Sequence, residues 1–424
     1  MSSGPGSRRW LVLSYFSRID GMACAQHVDD RIPLLREAGI EPVLLTGPCG
    51  DRWEGMRHAV ARSVAPSGIR FELRHLFRKR GLRGPLFKAL EFLILLPVLP
   101  FYLLEKLLAD LDSQWSWFPL AAYHGYALCR EARPDLIYST GGPASAHIAA
   151  GMIARRTGIP WVAEFQDPLV HGDWRRGKAA LKLFSIAERY VCARASRVVF
   201  LTEEARRRAA ARTPLGDRGR CIIPGAAPPV ELPPRRRDDS LLRFAHFGSF
   251  GGSRNPAVLL TAARRLLEER PDLAGTLRFD FYGHCDANSA RRLREFPVPG
   301  VVTYHGRVPR REALSAMRDA DILVLIQNID DFSAETIPSK VYEYLAEGRP
   351  VLGLVHGNPE LDGMLRGLGH TVAEAADAVA VRDAVSEIHR KWEAGTVESP
   401  ARSPYTVASA VERLVAVAEF RNPA

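Results

Sequence analysis

The sequence predicts an α/β protein built as two doubly wound domains, each a parallel sheet wrapped by helices. Three observations carry that expectation. Apolar runs of strand length alternate with helical periodicity along the whole chain, and strand, helix, strand at this spacing makes parallel sheets. The alternation is interrupted once, by a proline-rich stretch near the middle. The 424 residues exceed what one core fills and suit two.

In the first half, strands are expected at Trp10–Phe16, Pro42–Thr46, Phe71–Leu76, Leu136–Thr140, Trp161–Phe165 and Val198–Thr202, with helices over Cys24–Ala38, Ala144–Arg156 and Ala179–Ala195. The interruption, IPGAAPPVELPPRRRDD from Ile223 to Asp239, holds five prolines and a charge run, which no regular element tolerates. Strands resume at Phe244–Phe247, Arg278–Tyr282, Val301–His305, Ile322–Ile326 and Val351–Leu354, separated by helices at Pro256–Glu269, Arg310–Arg318, Ser339–Ala346 and Asp377–Glu393. The expected organisation is an N-terminal domain over 1–222, a linker over 223–240 and a C-terminal domain over 241–398. In the tail, 399–424, a helix near Thr406–Phe420 either ends the second domain or crosses back to the first. Ligands of such sheets bind beyond the carboxyl ends of the strands, so a cleft between two sheets suits a two-part substrate.

Composition narrows the partners. Lys and Arg outnumber Asp and Glu by 58 to 48, a formal charge of +10, which suits an anionic partner: nucleic acid, anionic bilayer or phosphorylated substrate. No aromatic stacking motif or groove-reading helix supports nucleic acid. The six cysteines form no CxxC pair, which fits a reducing compartment and argues against a disulfide scaffold or a zinc site. The start of the chain, MSSGPGSRRWLVLSYF, does not read as a signal peptide. Residues Phe92–Leu104, FLILLPVLPFYLL, run 13 residues without a charge, short of the roughly 20 of a bilayer span. Arg78, Lys79, Arg80, Arg83 and Lys88 lie just upstream or at its edge. Two readings stand: a core helix broken by Pro97 and Pro100, or an interfacial segment over 78–104.

The sharpest chemical signal is AETIPSKVYEYLAEGRPVL, Ala334–Leu352, which follows a buried-looking strand. Pro338 suits a helix's first turn, so the amides of Ser339 and Lys340 would form an anion-binding end to which Lys340 adds a full charge. Glu343, one turn in, can accept from paired ribose hydroxyls. Glu335 stands ahead of the helix, where a sugar beyond the phosphates would lie. The bland reading is an amphipathic helix with two surface glutamates. Asp330–Asp331 is not a convincing metal-binding pair.

This segment resembles the donor motif of the retaining family 4 glycosyltransferases, which have the GT-B fold of two Rossmann-like domains. FAHFGSFGGSRNP (Phe244–Pro256), FDFYGH (Phe279–His284) and VTYHGRVPRREALSAMRDADILVL (Val302–Leu325) resemble its neighbouring units. DLIYSTGGPASAH (Asp135–His147) and GIPWVAEFQDP (Gly158–Pro168) resemble a bacterial branch that acts on surface polysaccharides. The resemblance implies that Glu335 contacts the transferred sugar, Glu343 the ribose, and the Ser339 and Lys340 amides the pyrophosphate. It implies that Arg254, on the loop with Gly248 and Ser249, offsets leaving-group charge, that Arg307 and Val308 lie against the base, and that Gly21 lets the chain approach the phosphates. The chain departs from the family pattern where Ser249, Arg254 and Asn255 supply one basic residue instead of two, and where Thr140 replaces a histidine. His147 falls on the next helix. Asp167 is the acceptor-side candidate, its alternative role being a turn residue before Pro168.

The expected function is retaining transfer of a hexosyl or N-acetylhexosaminyl group from a nucleotide-diphosphate sugar to a hydroxyl, with no metal or other cofactor. The acceptor is expected to be a glycan or lipid-linked, met at the anionic inner face of the cell membrane by a cytoplasmic, peripheral protein. A nucleotide-sugar epimerase of the same architecture and a non-catalytic sugar-nucleotide or membrane-binding protein are the alternatives.

Overall fold

The structure, a computed structural model, describes residues 8–19, 22–82, 84–108, 110–171, 177–229 and 240–419. The expected linker falls largely on 230–239, and Gly21 and Arg83 also lie outside the described residues. Contacts divide the chain into two compact units, Met1–Pro224 with Ala410–Ala424, and Gly225–Ser409.

The first unit carries seven strands: β1 (Arg8–Ser14), β2 (Ile40–Thr46), β3 (His58–Val60), β4 (Leu136–Gly141), β5 (Trp161–Phe165), β6 (Arg197–Phe200) and β7 (Gly219–Cys221), in the order β3-β2-β1-β4-β5-β6-β7. The second carries six: β8 (Leu242–Phe247), β9 (Leu277–Tyr282), β10 (Val302–Gly306), β11 (Ile322–Ile326), β12 (Val351–Val355) and β13 (Thr371–Glu374), in the order β10-β9-β8-β11-β12-β13. Every pairing within both sheets is parallel. Strands β4, β5, β11 and β12 are buried at every residue, as a parallel sheet covered on both faces requires. The order reverses between β1 and β4 in one sheet and between β8 and β11 in the other. These are the switch points where doubly wound folds bind ligands.

Three expected elements differ. Phe71–Leu76 is helical, inside Pro66–Lys79; the alternation of Ile69, Phe71 and Leu73 imitates a strand, but Ile69, Leu73, Leu76 and Phe77 carry the helical period that wins. The Cys24–Ala38 helix is two helices, Ala23–Asp29 and Arg31–Glu37, parted just before Pro33, whose ring cannot fit a helix interior. The apolar run is not a core helix. It forms Gly84–Leu95, a 3₁₀ turn at Leu96–Val98 and Leu99–Leu108, so its prolines bend the helix rather than end it. Phe92, Phe101, Leu107 and Leu108 are 57%, 65%, 83% and 66% exposed. The continuous stretch Phe87–Leu108, 22 residues, is long and apolar enough to cross a membrane, and only 11% of its apolar window is buried.

This bent helix is amphipathic the wrong way round. Its acids point inward, to the Pro66–Lys79 helix. Glu91 Oε1 accepts from Arg70 Nε at 2.6 Å and Arg74 Nε at 2.7 Å, and Arg70 also reaches Tyr102 Oη at 2.7 Å. Glu105 accepts from the Ser67 amide and hydroxyl and from Trp115 Nε1. Burial pushes the Glu91 carboxyl up, and the two arginines outweigh it and hold it below its ordinary range.

In the second unit, Gly283 has φ +131, and a Cβ there would stand 1.9 Å from the carbonyl oxygen of Gly248. The end of β9 can therefore lie against the loop after β8 only without a side chain. Gly283→Ala is expected to destabilise the protein by about 2 kcal/mol or more, read as a fall in melting temperature; an unchanged transition would show that the loop yields freely.

Candidate active site

The chemically loaded residues of the second unit gather beyond β8 and β11. After β8 the chain turns through Gly248 to Arg254. The Gly248 amide donates to the Tyr282 carbonyl at 2.9 Å, Phe250 to His284 at 2.8 Å, and Gly251 to Arg254 at 2.9 Å. Gly252, with φ +63, closes the last of these turns. Ser249 is exposed and Arg254 half-buried. Beneath them His246 is buried, stacked 4.5 Å from Phe250 and donating from Nδ1 to the Val324 carbonyl at 2.9 Å. Burial above all, with the positive charges of Arg254 and Lys340, brings its imidazole down to about 4. The charges of two expected phosphate ligands, from different elements, thus both act on the His246 ring.

Lys340 opens the Lys340–Glu347 helix. The Val341 and Tyr342 amides bond back to Pro338 and Ser339, so the amides of Ser339 and Lys340 precede the first helical bond. Tyr344 fastens this helix to β8: its hydroxyl accepts from the Phe247 amide at 2.8 Å and donates to the Phe247 carbonyl at 3.2 Å. Glu343, 14% exposed, accepts from Lys340 Nζ at 2.5 Å and Arg310 at 3.1 Å. Arg307 is exposed and Val308 half-buried in the short link between β10 and the Arg310–Asp319 helix.

Glu335 is 3% exposed, at the end of the short Asp331–Glu335 turn. Two amide side chains hold that turn by its carbonyls. Gln327 Nε2 donates to Ser333 O at 2.8 Å and Thr336 O at 3.1 Å, and Asn358 Nδ2 donates to the same oxygens at 2.7 and 3.0 Å. Asp330 accepts from Ser253 Oγ at 2.5 Å and from the Phe332 amide at 3.1 Å, which ties the Gly-rich loop to the Glu335 turn. Among the described residues no three His, Cys, Asp or Glu side chains converge as a metal site.

In the first unit, Asp167 is exposed just after β5. Cys24 feels its charge: burial foremost, then Asp167, raises that thiol to about 12. Thr140 and Glu164 pair in register on β4 and β5, and both are buried. Glu164 Oε1 accepts from Thr140 Oγ1 at 3.0 Å and meets His27 Nε2 at 2.5 Å, while Oε2 is held by Arg31. Arg31 also donates to Tyr138 Oη at 2.7 Å. Burial pushes the Glu164 carboxyl up, but Arg31 and His27 hold it well below the usual carboxylate range. His147 lies buried against Ser139 Oγ and Phe165, a packing role.

Sequence reading missed Arg310, Gln327, Asn358 and the His27–Arg31–Glu164 group. The last had a signal: a charged residue inside the apolar WVAEF strand must find a buried partner. Arg310 had none, standing in VPRRE among similar arginines.

Comparison with known proteins accords with this arrangement. The Glycosyl transferase 4-like domain family matches residues 24–225 and the Glycosyl transferases group 1 family matches 242–391. No curated protein matches the chain in sequence. Among solved structures, sucrose-phosphate synthase of Thermosynechococcus elongatus superposes with TM-score 0.61 at 14% identity, covering 97% of this chain and 94% of that one. HepE of Anabaena in complex with UDP gives 0.59 at 11% identity over 97% and 94%. The lipopolysaccharide outer core galactosyltransferase WaaB gives 0.58 at 11% identity over 97% and 99%. With one glycosyltransferase domain matched on each of its two parallel sheets, the chain belongs to the glycosyltransferases of the GT-B fold.

Proposed function

We propose that this protein is a retaining glycosyltransferase that moves a hexosyl or N-acetylhexosaminyl group from a nucleotide-diphosphate sugar to a hydroxyl of a lipid-linked acceptor in cell-surface glycan synthesis. The observation that carries the donor half is the pairing of Lys340 with the nearly buried Glu343 at the start of its helix, with the charges of Lys340 and Arg254, from separate elements, both acting on His246. Two cations from separate elements suit a diphosphate, and a carboxylate at that depth suits the paired hydroxyls of a ribose. Glu335, on its braced turn, would face the sugar. As the carbon–oxygen bond to the diphosphate breaks, Arg254, Lys340 and the amides of Ser339 and Lys340 would take up the charge left on the leaving group. HepE was solved with UDP and with UDP-glucose, which makes uridine nucleotides the first probes.

Glu343→Ala is expected to weaken UDP binding by roughly 10- to 100-fold, since a hydrogen bond to a charged group contributes about 1.5–3 kcal/mol. Titration calorimetry reads this directly, and an unchanged affinity in the folded variant would move the ribose contact elsewhere.

The basic residues around the expected diphosphate take the place of a divalent cation in this reading. Turnover should therefore survive excess EDTA. A rate abolished by chelation and restored by magnesium or manganese would refute the metal-free mechanism.

The acceptor half draws on the inside-out bent helix. An apolar helical surface this exposed costs free energy in water at about 25 cal/mol per Å² and is relieved in the acyl layer of a bilayer. Arg78 and Arg80 lie exposed at the end of the preceding helix, beside Lys79. Each such residue contributes about 1 kcal/mol at an anionic surface, and firm attachment needs both kinds of signal. The protein would thus act from the cytoplasmic side, at the inner face of the membrane; its six cysteines are all free, as in a reducing compartment.

Sedimentation with liposomes should show binding that rises with anionic lipid and falls with salt. It should drop when Arg78, Lys79, Arg80 and Arg83 become Ser, and also in Phe101→Glu with Leu107→Glu. Protein that stays in the supernatant with every lipid would remove the membrane and the main support for a lipid-linked acceptor.

A further inference from the structure

We propose that His27 is a catalytic residue of the acceptor side: its Nδ1 takes the proton of the hydroxyl that receives the sugar, as that oxygen bonds the sugar carbon and the electron pair of the broken carbon–oxygen bond leaves with the diphosphate, and Glu164 positions the ring through Nε2. This rests on the transfer reading above and names an acceptor contact other than Asp167, the candidate that the sequence offered.

The chemistry of the contact fixes the tautomer. An ionised carboxylate can only accept, so the 2.5 Å contact to Glu164 Oε1 places the proton on Nε2. Nδ1 of the neutral ring then carries a lone pair, and no described residue hydrogen-bonds it. Charge balance does not need the imidazole, because Arg31 already neutralises Glu164. The side chains of Arg31 and Glu164 are 1% and 0% exposed, whereas that of His27 is 12% exposed, so the ring is where this network meets the surface.

The place is also right for a ligand. His27 lies on the helix that follows β1, Thr140 ends β4 and Glu164 ends β5, so the group sits at the switch point of the first sheet. Cys24, one turn before His27 on the same helix face, feels the exposed Asp167, which puts a second hydrogen-bond acceptor on that side. The charged groups that act on the ring are Arg31 on the next helix and Glu164 on β5, and Tyr138 and Thr140 on β4 hydrogen-bond to these two in turn. Burial first, then Arg31, lowers the His27 pKa against the opposing pull of Glu164. The ring therefore stays neutral down to pH values below the ordinary range of histidine.

The test uses the full chain with UDP-glucose, UDP-galactose, UDP-N-acetylglucosamine and GDP-mannose as donors. Nucleotide release is measured into water alone and with octyl glucoside as acceptor. In His27→Ala the octyl glucoside-dependent release should fall at least tenfold, while nucleotide affinity stays within twofold of wild type. His27→Gln, whose amide can still donate to Glu164 and accept from a hydroxyl, should recover part of the loss. It should also lose the decline that wild type shows on the acid side, where protonation removes the lone pair. Acceptor-dependent release within twofold of wild type in His27→Ala overturns the proposal, and so does a matching loss of nucleotide affinity, which marks a structural role. A wild-type protein that releases nucleotide from none of the four donors overturns the transfer reading itself, and this proposal with it.

Discussion

Parallel strands need a crossover each time, and in a sheet wound both ways two of those crossovers leave toward opposite faces at one point. Both sheets of this protein obey that constraint, and it accounts for the address of nearly every chemically loaded side chain. Arg254 leaves β8, Glu335 and Lys340 follow β11, and these strands are neighbours at the reversal of the second sheet. His27 follows β1 and Glu164 ends β5, flanking β4 at the reversal of the first. The strands can be buried from end to end because the chemistry is displaced to their tips.

Burial makes those tips demanding. A carboxylate as deep as Glu164 is tolerated only when its charge is met on the spot, and Arg31, His27 and Thr140 meet it from two helices and the adjacent strand. The tip of the second sheet is built differently: Arg310 and Lys340 share the single carboxylate of Glu343, and the charges of Arg254 and Lys340 both act on the buried ring of His246.

Much of this could be read from the sequence where the signal is local. Trp161–Phe165 and Ile322–Ile326 are the strands expected from their apolar runs alone, and the Lys340–Glu347 helix begins within a residue of its proline-marked start. What escaped was either ambiguous in period, as at Phe71–Leu76, or made by partners distant in the chain. His27 and Glu164 are 137 positions apart, and no spacing rule joins them. The brace on the Glu335 turn was hidden for another reason. Gln327 and Asn358 are ordinary polar residues, and only the folded backbone shows which carbonyls they hold.

The clasp that turns the apolar face of the bent helix outward is, by contrast, local. All its polar partners lie between Ser67 and Trp115, ahead of β4, the strand that must pair with β1 to build the middle of the first sheet. Contacts of short sequence separation form early, and a chain emerging from the ribosome completes its N-terminal parts first. The sticky face is thus presented by the nascent chain well before either sheet is finished. During synthesis, self-association through Phe101 and Leu107 competes with folding unless that face finds its cover while translation is still under way.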